Sequence, residues 1–239
     1  AYNYLMKNTI LNKAKLVNSV FSDVSQKYDL MNDIMSFGIH RVWKEKFIDW
    51  MNPSKDAKLI DVASGTGDIA RLFSKKNNNL SEIICVEPNS EMFKKGKDNL
   101  RNFKNIKWFQ SKAEELPFQN NVFDYYTISY GIRNVSNINK SLQEAYRVLK
   151  PGGRFMCLEF SKIDNELLNF FYKNYSKTIP IVGKYIVGSS KPYEYLVNSI
   201  ESFYNQEQLL ELMIKNGFSN AEYRNLSSGI SAIHSGWKI

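Results

Sequence analysis

Apolar residues in this chain fall into short runs bounded by turn residues, and the runs alternate with segments of helical spacing. The first clear run, Leu59-Ile60-Asp61, leads into a turn containing Gly65 and Gly67. Four more follow: EIICVEP (82–88), IKWFQS (106–111), FDYYTISYG (123–131) and RFMCLEFS (154–161). Short runs of this composition predict strands. Between them lie helical segments; Ile138, Leu142, Ala145, Tyr146 and Leu149 share one face. Pro151-Gly152-Gly153 stops that helix. Alternation of this kind predicts a doubly wound, mostly parallel α/β sheet. The end of the chain differs, because FSNAEYRNLSSGISAIHSGWK (218–238) reads as two strands around Ser227-Ser228-Gly229 with no helix between them. The expected fold is a seven-stranded Rossmann-like sheet closed by an antiparallel hairpin.

Composition narrows this picture. A chain of 239 residues, 43% apolar, supports one sizeable core. A single domain over 1–239 is expected, with 1–50 as a helical cover and 162–205 as a helical insertion. Cys85 and Cys157 lie far apart in apolar runs, which predicts buried thiols and no disulfide or metal site. No apolar run reaches the length of a membrane span, and residues 1–15 lack a signal-peptide pattern. They are basic, which leaves an organelle-targeting origin open. The formal charge of +8 favours an anionic partner, either nucleic acid or an acidic membrane surface.

The first turn carries the chemistry. Gly65-x-Gly67-x-x-Ala70 fits a dinucleotide fingerprint. However, Asp61 ends the strand and Asp68 follows Gly67, and two carboxylates beside a pyrophosphate repel it. Unit charges about 4 Å apart interact by roughly 4 kcal/mol at an effective dielectric of 20. A cofactor with an ammonium and a sulfonium, S-adenosylmethionine, suits the turn better. Glu87, closing the second strand, can accept from ribose hydroxyls of either cofactor. Ser111, Lys112 and Ala113, at the third strand end, offer a wall for adenine.

Two longer stretches, YDLMNDIMSFGIHRVW (28–43) and RVLKPGGRFMCLEFS (147–161), resemble the two signatures of the ubiquinone/menaquinone biosynthesis C-methyltransferases, the UbiE type. TISYGIRNV (127–135), KPYEYLVNSI (191–200) and the terminal AIHSGWK (232–238) are similar to further family segments. The resemblance spans about residues 15 to 239. It implies a class I methyltransferase that moves a methyl group from S-adenosylmethionine to a ring carbon of a polyprenylated benzoquinol (2-polyprenyl-6-methoxy-1,4-benzoquinol), with demethylmenaquinol accepted by some members. Family cofactor contacts fall by position on Thr66, Glu87, Lys112, Ala113 and Ser129, beside Asp61, Gly65 and Gly67. Two departures stand out: Ser64 replaces a common glycine, and Lys112 replaces the usual Asn or Asp.

The reaction needs positioning and a base or cation that favours a phenolate. Arg133 and Asn134 follow the fourth strand, where the acceptor ring is expected. Arg stays protonated and is no ordinary base; the family resemblance implies that Arg133 holds an activating water or lowers the phenol pKa, the alternative being a structural ion pair. His40 is either a general base or a packed histidine, and Tyr28 either touches the cofactor or quinol or fills the core. The segment Leu167–Gly188 mixes aromatic and aliphatic residues with lysines, which suits a core cap, an isoprenoid channel or a contact with an anionic leaflet. The resemblance therefore implies a peripheral inner-membrane enzyme of the bacterial cytoplasm, or of the mitochondrial matrix face. It allows a homodimer or a complex with other quinone-biosynthesis enzymes. A nucleic-acid methyltransferase is disfavoured, because SYGIRN contains neither [DN]-P-P-[FY] nor a Pro-Cys nucleophile.

Overall fold

A computed structural model describes residues 38–163 and 190–239, together with residues 17, 19, 22, 33, 36, 174, 175 and 178. The helix α1, His40–Met51, buries His40, Trp43, Lys44, Phe47, Ile48 and Met51, a helical stripe facing one side of a sheet. Then come β1 (Leu59–Val62), α2 (Asp68–Lys76), β2 (Ile83–Val86), α3 (Ser90–Asn99), β3 (Ile106–Phe109) and β4 (Phe123–Ser129). The second half contains α4 (Ile138–Val148), β5 (Leu149–Phe160), α5 (Lys191–Glu201), α6 (Gln206–Lys215), β6 (Ser219–Leu226) and β7 (Ser231–Trp237).

The seven strands lie in the order β3-β2-β1-β4-β5-β7-β6, with β7 antiparallel to both neighbours and the remaining pairs parallel. β1 and β2 are buried at every position, as expected of central strands covered on both faces. The edge strands β3 and β6 alternate in exposure instead. Trp43, Phe47, Phe73 and Tyr193 pack on one face; Leu142, Val148, Tyr126 and Leu209 pack on the other. Cys85 and Cys157 are free and buried.

Helix starts follow local chemistry. The Asn89 side chain accepts from the amides of Glu91 and Met92, and Asn205 with Gln208 forms a reciprocal capping box at α6. The expected strand from Arg154 begins earlier, at Leu149. The Lys-Pro-Gly-Gly stretch ends α4 but belongs to a bulged strand, since Gly152 N–H donates to the Lys238 carbonyl (2.7 Å) and Lys238 N–H to that of Gly153 (3.0 Å).

The C-terminal hairpin fastens α1. Trp43 Nε1 donates to Ser227 Oγ in the turn (3.1 Å). From β5, Arg154 reaches the carbonyls of Trp50 and Met51, the free carbonyl end of that helix. Its guanidinium also lies over the rings of Trp50 and Trp237, 5.2 and 4.9 Å from their centroids.

Candidate active site

Strand order reverses between β1 and β4, so connections on either side run away from each other. A crevice opens there at the carboxyl ends, the place where open α/β sheets bind ligands. Asp61 pairs with Thr127 across this junction, and Thr127 Oγ1 donates to Asp61 Oδ1 at 2.7 Å. The other carboxylate oxygen, Oδ2, is buried with no hydrogen-bond partner among the described residues, as is the Ser129 hydroxyl. Burial pushes the Asp61 pKa up to about 7, against the pull of the Thr127 hydroxyl. A buried carboxylate oxygen with no partner calls for a donor, ideally a cation.

The loop after β1 places Ala63, Gly65 and Gly67 in left-handed conformations (φ 52°, 56° and 88°). The φ of 88° at Gly67 strains any side chain, and a Cβ there would also crowd the Leu100 and Trp108 side chains (2.5 and 3.1 Å), so the backbone asks for glycine. Ser64, the departure from the family pattern, avoids the left-handed region. Its hydroxyl donates to the Asp61 carbonyl at 2.5 Å and accepts from Val86 N–H at 3.2 Å, tying the loop to both strands. Glu87 lies beneath the loop and accepts from Gly65 N–H and Asn89 N–H, both at 2.9 Å. Burial raises its pKa to about 7. Gly96 of α3 lets the helix approach, since a Cβ there would fall 2.8 Å from the Gly65 carbonyl.

The resulting cleft, about 330 Å³ including its open mouth, is lined by Asp61, Gly65, Thr66 and Ser129 with Lys44, Asp68 and Tyr130. Sequence reasoning missed Lys44, although its place four residues after His40 puts it on the inner face of α1. Lys44 Nζ lies 2.7 Å from Asp68 Oδ2, and Arg71 Nη2 lies 3.2 Å from Oδ1. Burial pushes the Asp68 pKa up, yet these cations outweigh it and hold the carboxyl below its ordinary value. Asp68 is thus neutralised, and the repulsion expected of two bare carboxylates reduces to Asp61 alone.

The other predicted residues lie around this cleft rather than in it. Ala113 is buried and Lys112 exposed; neither lines the cleft. The His40 ring is buried, with Nδ1 3.0 Å from Ser36 Oγ and 3.6 Å from Asp33 Oδ1. Burial and the Lys44 charge lower its pKa to about 4, so the ring is neutral at pH 7. Arg133 and Asn134 form a 3-10 turn after β4. Arg133 Nη1 lies 2.6 Å from Glu159 Oε1 and donates to the Tyr130 carbonyl at 2.8 Å; both charged side chains are 2% exposed. Glu159, the unanticipated partner, comes from β5. Asn134 accepts from the Tyr195 hydroxyl at 2.9 Å. Tyr28 and most of 167–188 lie outside the described residues; Tyr175 of that segment packs against the core. Among the described residues no acidic, histidine or cysteine group could hold a metal, and no helix is long and apolar enough to cross a membrane.

Comparison with known proteins gives a consistent result. Residues 8–238 match the model of the ubiE/COQ5 methyltransferase family. The chain is 51% identical over 234 residues to the ubiquinone/menaquinone biosynthesis C-methyltransferase UbiE of Rickettsia bellii, covering 95% of this chain and 94% of that one. Among solved structures it resembles a methyltransferase of Thermotoga maritima, described as a possible histamine N-methyltransferase, with TM-score 0.66 and 20% identity over 93% of this chain and all of that one. It also resembles a Haemonchus contortus phosphoethanolamine N-methyltransferase solved with S-adenosylhomocysteine, with TM-score 0.62 and 15% identity over 82% of this chain and 52% of that one. At such identities the structural likeness shows the fold alone.

Proposed function

This chain belongs to the ubiE/COQ5 methyltransferase family and is an S-adenosylmethionine-dependent C-methyltransferase, and on that premise we propose that its acceptor is a polyprenylated benzoquinol. The substrate is 2-polyprenyl-6-methoxy-1,4-benzoquinol in ubiquinone biosynthesis, with demethylmenaquinol as a second acceptor. The observation that carries the cofactor half is the orphaned Asp61 Oδ2 in a cleft that the orphaned Ser129 hydroxyl also lines: the carboxylate fits the ammonium of a methionine moiety and repels a pyrophosphate.

S-adenosylmethionine, when bound, supplies a methyl group made electrophilic by its sulfonium. Asp61 holds the cofactor ammonium, while Gly65, Thr66 and Gly67 shape the wall against which the cofactor lies. Glu87, already accepting two amides, offers its remaining lone pairs to the ribose. Ala113 and the backbone at Lys112 border the adenine, and the Lys112 side chain stays in solvent. Ser129 donates near the methionine end.

For the acceptor, Arg133 keeps a cation beside the end of β4, and Glu159 fixes the orientation of its guanidinium. We assign Arg133 the task of stabilising the phenolate or the water that takes its proton. Asn134, tied to Tyr195, holds the same wall. His40, neutral and hydrogen-bonded, anchors the first signature, and no proton is routed through it. Tyr28 stays an acceptor- or cofactor-contacting candidate from the same signature.

Peripheral contact with an anionic membrane surface accompanies this reading. It is supported by the +8 charge and by Ile39 and Val42, 40% and 48% exposed, flanking the exposed Arg41. The test is transfer of a labelled methyl group to a reduced short-tail 2-prenyl-6-methoxybenzoquinol and, separately, to a demethylnaphthoquinol. Label on the benzoquinol ring carbon is expected. Cofactor binding with both quinols unmethylated would overturn the acceptor assignment.

A further inference from the structure

The cleft presents two opposite charges, of which Asp61 is matched to the cofactor ammonium and Lys44 has no counterpart there. Asp61 Oδ2 offers a buried acceptor with nothing to accept from. Lys44 lines the same cleft with a side chain 9% exposed. Its ammonium carries three N–H donors, and one described acceptor, Asp68 Oδ2, takes one of them. Asp68 does not depend on Lys44 alone, because Arg71 holds its other oxygen. The lysine is therefore a buried cation with donors to spare, facing a cavity whose other functional groups include a bare carboxylate.

We propose that Lys44 binds the α-carboxylate of the methionine moiety, so that Asp61 and Lys44 together read the amino-acid zwitterion of S-adenosylmethionine. The two groups come from separate parts of the fold, β1 and the covering helix α1. A ligand bearing both ammonium and carboxylate bridges them, and one lacking the carboxylate leaves Lys44 with Asp68 only. The lysine stem packs within α1's buried stripe, so its head is delivered to the cleft without the entropic cost of ordering an exposed side chain. This inference rests on the cofactor and not on the quinol acceptor.

The experiment is calorimetric binding of S-adenosylmethionine and of its decarboxylated analogue, which keeps the ammonium, to wild type, Lys44→Met and Lys44→Arg. A charge-assisted hydrogen bond in a desolvated site makes wild type prefer the carboxylate-bearing ligand by about tenfold or more. Lys44→Met should bind both ligands within about threefold of each other, and Lys44→Arg should restore part of the preference. Thermal unfolding without ligand identifies a variant that has lost its fold; Lys44→Arg, which keeps the cation, then carries the test through its own preference. Retention of the full preference in folded Lys44→Met, or no preference in Lys44→Arg, would overturn the inference while leaving the cofactor assignment standing. Failure of wild type to bind S-adenosylmethionine would overturn both.

Discussion

Glu159→Gln removes one charge from a buried ion pair. Glu159 Oε1 receives Arg133 Nη1 at 2.6 Å and the Phe160 amide at 2.9 Å, and both charged side chains are 2% exposed. The glutamine keeps the volume and one carbonyl acceptor, but the arginine loses the negative charge that Glu159 supplies. Removing one partner of a buried pair costs about 3–5 kcal/mol. Because an acceptor survives, the lower end, about 3 kcal/mol, is expected. For a chain of this length each kcal/mol moves the melting temperature by about 2–4 °C, so a drop of about 6–12 °C follows. Arg133→Met/Glu159→Gln removes both charges and should recover most of the loss, since neutral replacement of a buried pair is often tolerated. Circular dichroism melts of wild type, both single variants and the double variant form a double-mutant cycle. Melting of Glu159→Gln within about 2 °C of wild type would refute the reasoning, since by the same scaling it leaves under about 1 kcal/mol for the buried pair. The double variant also separates two roles of Arg133. If it folds and binds S-adenosylmethionine yet transfers no methyl, the cation acts in the reaction; if transfer persists, the proposed role is wrong.

Three other outcomes are expected. S-adenosylmethionine affinity should weaken as pH falls below about 7, by up to about tenfold per unit, because Asp61 is then protonated. Calorimetry between pH 5.5 and 8 should find this slope in wild type and lose it in Asp61→Asn; a slope surviving in that variant would point to Glu87 instead. In the unliganded protein the same raised pKa has the opposite consequence: the folded state holds the proton more tightly, so its contribution favours the fold at low pH and is lost as pH rises through 7. Gly96→Ala, which would stabilise an exposed helix by about 1 kcal/mol, should destabilise here by about 1–3 kcal/mol and weaken cofactor binding, because its Cβ meets Trp108 and the Gly65 carbonyl; a raised melting temperature would contradict the close approach of α3. Burial lowers the His234 pKa to about 4 from an unfolded value near 6.5. Its stability contribution is therefore complete above pH 6.5 and lost as pH falls toward 4, so His234→Gln should melt with less sensitivity to acid than wild type over that window.

What was legible in the sequence was mostly local. The apolar runs, the helix around Leu142 and Ala145 and the hairpin turn at Ser227–Gly229 each specify themselves through near neighbours. The glycine loop was legible for the same reason, since Gly65 and Gly67 answer to backbone conformation. Partnerships set by tertiary register were not. Lys44 and Asp68 lie on different helices, Arg133 and Glu159 on a turn and a strand, and Gly96 matters only because α3 passes over the loop. The neutralisation of Asp68 shows the cost of reading charge without partners: a carboxylate counted as repulsive is paired twice. The early start of β5 has a similar origin, because Gly152 and Gly153 pair with Lys238, 85 or more positions away.

Arg154 joins distant parts of the molecule. It lies between Trp50 and Trp237 while holding the last carbonyls of α1, the helix that delivers Lys44 to the cleft. The glycine loop and Asp61 are encoded in the first third of the chain, yet the wall opposite them is held from β5 and from the hairpin turn at Ser227. A chain cut before Ser219 would keep every residue of the glycine loop and lose both the Ser227 hydroxyl that receives Trp43 and the Trp237 ring over which Arg154 lies. Competence for the cofactor is in this sense a property of the closed molecule, acquired only when its final strand has been laid into the sheet.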